Sequence, residues 1–214
     1  MIHYDRQRRR FAVALAAMAG FVDAVGFLSA DGYFVSFMSG NTTRLGVALG
    51  TAPTMALMPL VLIAGFVIGV TLGALASRRA GPLRKPAVVG LVALLLMMAA
   101  SGRALGSPAL MLAGMVMAMG ALNNTFQRGG EVAVGLTYMT GALVKLGQGV
   151  ANALSGQPNG AWQSWATLWS GLLAGAVLGA ALQDRLPQGC LWIAAGWAML
   201  MTVIAFRLPA DGDA

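Results

Sequence analysis

Charge is scarce in this sequence: only 10% of its 214 residues are Asp, Glu, Lys or Arg, while 58% are hydrophobic. Soluble domains carry about 25% charged residues, so this chain has too few polar side chains to cover a surface in water. The mean hydropathy of +0.74 points the same way. We therefore expect an all-α integral membrane protein that has the lipid bilayer as its solvent.

Cysteine and histidine are each present only once, as Cys190 and His3. A single cysteine excludes an internal disulfide and any metal site built from cysteines. The sequence also lacks a paired acidic motif, a phosphate-binding glycine loop and a histidine cluster. We therefore expect no cofactor, no metal site and no enzymatic activity.

Basic residues outnumber acidic ones by 14 to 7, which gives a net charge of +7. They lie between apolar runs, mainly in residues 6–10 and 78–85, without the interleaved aromatic residues of a nucleic-acid surface. Loops that remain in the cytoplasm collect Lys and Arg. We attribute the positive charge to membrane topology and expect no nucleic-acid partner.

Eight apolar segments are separated by Gly, Pro, Asn and Asp, at residues 11–30, 33–50, 55–77, 87–102, 108–127, 132–155, 162–182 and 190–208. None alternates like a barrel strand, so helices are the expected spanning elements. The first segment follows a basic stretch and imitates a signal peptide. It is long enough to span a bilayer, and we expect it to be retained.

An internal repeat divides the chain into two halves. Residues 37–46 (FMSGNTTRLG) recur as residues 138–147 (YMTGALVKLG), and upstream of these blocks Asp23 falls on Asn124. Downstream, glycines spaced four apart recur in both halves, as Gly65, Gly69 and Gly73 and then Gly171, Gly175 and Gly179. The domain boundaries that follow are a basic cytoplasmic tail (1–10), a first membrane repeat (11–102), a linker (103–107), a second repeat (108–208) and a short tail (209–214).

Loop charges distinguish two topologies. If all eight segments cross, the halves run parallel, and the loop cations other than Arg44 and Lys145 divide six against six. If the second and sixth segments are broken or re-entrant, the halves are inverted and the cations divide ten against two, with only Arg103 and Arg185 outside. The excess of cations on cytoplasmic loops favours the second model. We expect about six spanning helices, two broken or re-entrant segments and two cytoplasmic termini.

Three ionisable residues lie in or beside these polar segments. Asp23 falls deep inside the first segment, where a carboxyl group costs at least a few kcal/mol unless it is paired or hydrated. We interpret it as a proton-coupling or solute-orienting group, with a structural role as the alternative. Arg44 and Lys145 either attract an anion or extend to the interface, and an Asp23–Arg44 pair is a third arrangement.

Two glycines mark where the polar segments are expected to break. A half-helix that begins just after Gly40 or Gly141 would direct free N–H groups inward, beside Ser39, Asn41 and Thr140. Tight helix contact is the alternative role of these glycines. The candidate solute site therefore comprises Asp23, Ser39, Gly40, Asn41, Arg44, Asn124, Thr140, Gly141 and Lys145.

Matching broken segments in two inverted halves are typical of transporters. We expect a transporter or channel for a small polar or anionic solute, bound between the halves. The alternative is a non-transporting assembly or partner-binding protein that uses its glycine-faced helices. We interpret the glycine faces as close packing within the protomer, with a homodimer interface as the alternative.

Three stretches resemble the signature of the YoaK family, whose members are small multi-pass bacterial inner-membrane proteins defined by a domain of unknown function. They are residues 20–28 (GFVDAVGFL), residues 38–41 (MSGN), and Asn124 ahead of residues 137–141 (TYMTG). Ser39 stands where the family more often has Thr, and Asn123 where it often has Gln. The resemblance covers essentially the whole chain and implies a bacterial inner-membrane location, but it supplies no substrate.

Overall fold

The computed structural model describes residues 6–128, 131–132, 135–137, 139–157 and 161–208. Within these ranges the chain forms α1 (Arg6–Ser29), α2 (Met38–Thr51), α3 (Leu57–Ala80), α4 (Arg84–Ala104), α5 (Pro108–Leu122), α6 (Thr140–Leu154), α7 (Ala161–Arg185) and α8 (Cys190–Phe206). Short 3-10 turns lie at Pro53–Met55, Gly81–Leu83 and Asn123–Thr125. A minimal antiparallel ladder pairs β1 (Gln127–Arg128) with β2 (Glu131–Val132). The expected all-α fold is confirmed.

Three stretches of the described chain are long and apolar enough to cross a membrane, judged by length and composition: Arg6–Ser29, Pro53–Ala104 and Trp162–Arg185. The middle stretch has 52 residues and contains both α3 and α4. The apolar helix α8 is shorter. In contrast, α2 has only 14 residues, which is about 21 Å at 1.5 Å per residue, against a hydrocarbon core of about 30 Å.

Glycine stripes pack α7 against α1 and α3 against α5. A Cβ atom at Gly175 would overlap the backbone oxygen of Ala17, and one at Gly179 would overlap that of Phe21. The matching contacts of α3 are Gly69 with Met117 and Gly73 with Ala121. Residue numbers rise together in both pairs, so each pair is parallel. The interpretation of these glycines as close packing within the protomer is confirmed.

Helix α4 runs antiparallel to both α5 and α8. A Cβ at Gly102, near the end of α4, would lie 2.6 Å from the backbone nitrogen of Met111, near the start of α5. Against α8, Gly90 lies beside Thr202 and Arg103 beside Cys190. Residue numbers that increase along α4 therefore align with residue numbers that decrease along α5 and α8.

These directions give the molecule two opposite faces. We call the side where α1 begins the first face and the side where it ends the second face. Arg103 at the end of α4 bonds Ser29 at the end of α1, so α4 ends on the second face. Helix α5 is antiparallel to α4 and begins on the second face, and α3, which is parallel to α5, therefore also begins on the second face and ends on the first. Residues 30–56 thus leave and rejoin the same face. By the same reasoning α5 ends on the first face, and α7, which is parallel to α1, begins there.

Helices α1 and α5 form the interior of the molecule. Of the 15 residues of α5, ten are buried, and α1 buries Leu15, Met18, Phe21 and Val22 almost completely. A Cβ at Gly26 of α1 would meet the Met115 side chain of α5. Asn123 and Asn124, which follow α5, are buried, whereas most side chains of α2 and α6 are exposed.

Candidate functional site

Asp23 holds the non-helical segment that follows α1. The turn at Asp31 and Gly32, which have φ values of 49° and 76°, ends α1 and directs the chain back along it. One Asp23 carboxylate oxygen then accepts hydrogen bonds from the backbone N–H groups of Val35 (3.0 Å) and Ser36 (2.8 Å). Both residues are buried. A backbone without helical hydrogen bonds is thus satisfied by a side chain of α1, as membrane depth requires.

Asn41 closes the same segment from the other side. Its amide oxygen accepts from the Phe34 N–H (3.2 Å), and its amide nitrogen donates to the Phe34 carbonyl (2.7 Å). The residue is completely buried. In this structure Asn41 acts as a brace for the loop, with both ends of its amide group already bonded to backbone.

The re-entrant helices begin slightly before the positions expected. Helix α2 begins at Met38 and α6 at Thr140, so Gly40 and Gly141 fall inside the first turns. A Cβ at Gly40 would meet the rings of Phe37 and Phe34. The glycine therefore makes room for aromatic rings, and the expected start just after it is wrong by a few residues.

The second half repeats this arrangement with a different residue. Asn123, at the end of α5, accepts hydrogen bonds from the Leu136 N–H (3.1 Å) and the Thr137 hydroxyl (3.2 Å). Its amide nitrogen donates to the Met119 carbonyl at 3.1 Å and to the Thr137 hydroxyl at 2.9 Å. Asn123 is therefore the counterpart of Asp23.

The sequence alignment had paired Asp23 with Asn124, and the hydrogen bonds correct this. Asn124 donates to the Val70 carbonyl at 3.0 Å and accepts from Gln127 at 2.9 Å, so it ties α5 to α3 and to β1. The one-residue error arises because 13 positions separate the bonded pair in the first half and 14 in the second.

The two cations of the repeat lie against aromatic rings. The Arg44 guanidinium is 4.6 Å from the centre of the Tyr33 ring, and the Lys145 ammonium is 3.9 Å from that of Trp165. Such contacts stabilise a cation by about 0.5–2 kcal/mol. Among the described residues no ion pair joins Asp23 to Arg44, so the third of the arrangements considered for these residues is not found.

The nine candidate residues thus fall into two groups. Three are held inside the protein by backbone or side-chain hydrogen bonds: Asp23, Asn41 and Asn124. Ser39, Thr140, Gly141 and Lys145 lie on exposed faces of α2 and α6, while Gly40 and Arg44 are half-buried. Because α2 packs on α3 and α6 packs on α7, the structure does not gather all nine around one point.

Arg103 is a polar centre that the sequence reasoning did not select. Its guanidinium donates to Gln183 (2.6 Å), Cys190 (3.0 Å), the Pro187 carbonyl and the Ser29 hydroxyl, and Nε contacts the Met111 sulfur. One signal was available: Arg103 is one of only two loop cations on the side opposite the other ten. Within the described ranges, no cluster of three His, Cys, Asp or Glu residues offers a metal site.

Comparison with known proteins gives a family but no activity. A family model described as "Protein of unknown function (DUF1275)" matches residues 11–204. The "UPF0700 transmembrane protein RA0705" of Rhizobium meliloti (strain 1021) is 39% identical over 211 residues, which cover 95% of this chain and 91% of the relative. No solved structure matches. The family resemblance drawn from the sequence motifs is confirmed.

Proposed function

The chain belongs to the DUF1275 family of transmembrane proteins of unknown function, and on that premise we propose that it transports or conducts a small polar or anionic solute between its two halves. The observation that carries the proposal is the half-buried Asp23 carboxylate of α1, which holds the following non-helical segment through the N–H groups of Val35 and Ser36. Ionisable residues at membrane depth are expensive and mark solute or proton pathways.

The second half provides an internal comparison for Asp23. Asn123 holds the equivalent segment by accepting from one backbone N–H, that of Leu136, and from the Thr137 hydroxyl, and its side chain is neutral. An amide is therefore sufficient to hold a segment of this kind. Holding the segment therefore does not explain why the first half has a carboxyl group at Asp23. We propose that this group binds the solute or a coupling proton.

We further propose that the halves are inverted repeats. Support comes from the helix directions, since α1 ends and α3 begins on the second face, whereas α5 ends and α7 begins on the first. In such an architecture each half offers the same gate to opposite sides, which suits alternating access. A cation on each re-entrant helix, Arg44 and Lys145, favours an anionic or zwitterionic solute.

A test begins with the purified protein in liposomes. We expect flux above that of empty liposomes for at least one member of a panel of small carboxylates, phosphate, sulfate and amino acids, and a raised melting temperature with the same solute. A broad panel that gives neither flux nor thermal stabilisation would contradict the proposal. No residue set in the described chain suggests catalysis, and we propose a non-enzymatic role.

The alternative role as an assembly factor depends on free glycine faces. The stripes at Gly69 and Gly175 already contact backbone of the same chain. A partner, or a second copy in a homodimer, could reach them only by separating α3 from α5 or α1 from α7. The structure therefore offers this alternative no surface along those stripes.

We also propose a bacterial inner-membrane location with both termini and the first face in the cytoplasm. Arg78 and Arg79 lie at the end of α3 on that face, whereas Arg185 ends α7 on the other. In a Cys190→Ser background, the Arg79→Cys variant should be protected from an impermeant thiol reagent in intact cells. The Arg185→Cys variant should react. Labelling of the first and protection of the second would reverse the topology.

A further inference from the structure

The Arg103 side chain joins elements that are far apart in the sequence. It projects from the end of α4 and donates to Ser29 at the end of α1, to Gln183 near the end of α7, and to Cys190 at the start of α8. These partners are 74, 80 and 87 positions away. A single guanidinium thus ties four helices together at the second face.

These contacts cross between two packed units. Glycine contacts make α1 and α7 one unit, as at Ala17 and Gly175, and make α3 and α5 another, as at Gly69 and Met117. Helix α4 packs against α5. The bonds of Arg103 therefore connect the α3–α5 side to both members of the α1–α7 unit.

Two hydrogen bonds at the first face each join parts of a single unit. The Arg9 guanidinium donates to Ser164 at 3.4 Å, which joins α1 to α7 within one unit. The Ser77 hydroxyl contacts the Gln127 amide oxygen at 3.0 Å, which joins α3 to the segment after α5. Arg207, which follows α8 much as Arg103 ends α4, is exposed and makes no side-chain hydrogen bond within the described part of the chain.

All five hydrogen-bond acceptors of Arg103 are neutral: a hydroxyl, an amide oxygen, a carbonyl, a thiol and the Met111 thioether. Bonds from an ionised donor are stronger than neutral ones, yet no ion pair must be separated to release them. Several moderate bonds in one place can hold an interface closed and still break on the timescale of a conformational change.

We propose that Arg103 is a latch that closes the second face of the pathway between the two units. This inference rests on the proposed transport function. Release of Ser29 and Gln183 together would free the ends of α1 and α7, and their glycine contact would make them move as one body. Arg103 acts here as a positioning residue, with no contact to the solute required.

Cys190 makes the latch measurable in the native chain. It is the only cysteine, it is completely buried, and its sulfur lies beside Arg103 and Gln183. We expect slow reaction with a charged maleimide in liposomes. Arg103→Gln should accelerate labelling about tenfold or more, and Ser29→Ala, which removes one acceptor, about fivefold. Arg207→Gln is the matched control and should leave the rate unchanged.

A second reporter separates a latch from local loosening around Cys190. In a Cys190→Ala background, the Ser36→Cys substitution places a thiol in the buried segment beside Asp23. Arg103→Gln should raise its labelling from the second face as well, while size exclusion and melting show a folded protein. An effect confined to Cys190, or no effect of Arg103→Gln and Ser29→Ala at either reporter, overturns the latch.

The labelling assay uses no solute, so it fails or succeeds independently of transport. Accelerated labelling at both reporters without flux of any panel member would support the latch and contradict the transport proposal. Flux in the wild-type protein with unchanged labelling in Arg103→Gln would support transport and overturn the latch.

Discussion

Replacing Gly175 by alanine is expected to lower the free energy of unfolding by about 3 kcal/mol or more. The new methyl group would overlap the backbone oxygen of Ala17, and its other nearest neighbours are also backbone atoms of that residue. A side chain can rotate away from such an overlap, but the backbone of a packed helix cannot. Helices α1 and α7 must therefore separate, and the contacts along the whole stripe weaken.

Thermal unfolding in detergent, followed by tryptophan fluorescence, measures this loss. Gly69→Ala should cause a comparable loss, because a Cβ there would overlap the backbone oxygen of Met117. Gly196→Ala is the control: Gly196 lies in the middle of α8 with nothing within 4 Å of its would-be Cβ. That change should be neutral or stabilising by up to about 1 kcal/mol. Equal effects of all three changes would contradict the packing described here.

At Asp23, we expect the asparagine substitution to separate folding from function. Asp23→Asn should change the free energy of unfolding by less than about 1 kcal/mol, since Asn123 holds the equivalent segment with an amide. Asp23→Ala leaves the N–H groups of Val35 and Ser36 without their acceptor. At about 1–3 kcal/mol for each of the two unsatisfied buried groups, this variant should lose about 2–6 kcal/mol.

Under the proposed function, Asp23→Asn should also reduce solute flux about tenfold or more, the effect of losing one interaction with a charged group. Asn123→Ala provides the matched comparison, because it removes the acceptor in the second half without changing any charge. It should lose stability much as Asp23→Ala does. If Asp23→Asn destabilises the protein as strongly as Asp23→Ala, the carboxylate has a structural role.

Much of the fold could be predicted from the sequence because membrane helices follow from composition alone. The polar segments 33–50 and 132–155 were expected to break near Gly40 and Gly141, and the structure places helix starts within two residues of both. Glycines at four-residue spacing predicted tight helix contact. Which helix each stripe contacts could not be predicted, since Gly175 and Ala17 are linked by no local pattern.

The candidate site was harder to predict, for physical reasons that differ between residues. Asn41 has an amide group that could bind a solute. In the structure its oxygen and nitrogen are both hydrogen-bonded to the backbone of Phe34, in the short loop beside it. Ser39 and Lys145 lie on helices so short that sequence does not determine which face is covered. Arg103 was missed because all its hydrogen-bond acceptors come from distant segments, which only the assembled fold brings together.

The contact between α1 and α7 also constrains how the protein is made. Ala17 is synthesised 158 residues before Gly175, which is the difference between their positions. Until that glycine is made, the Ala17 backbone lacks its packing partner in α7. At about 5–20 residues per second, the delay is roughly 8–30 s. During this interval α1 is in the bilayer with its main neighbour unmade. The insertion machinery or surrounding lipid must cover the face of α1 that packs on α7 until the carboxyl-terminal half arrives, so synthesis of the first half alone should yield a substrate for membrane proteases.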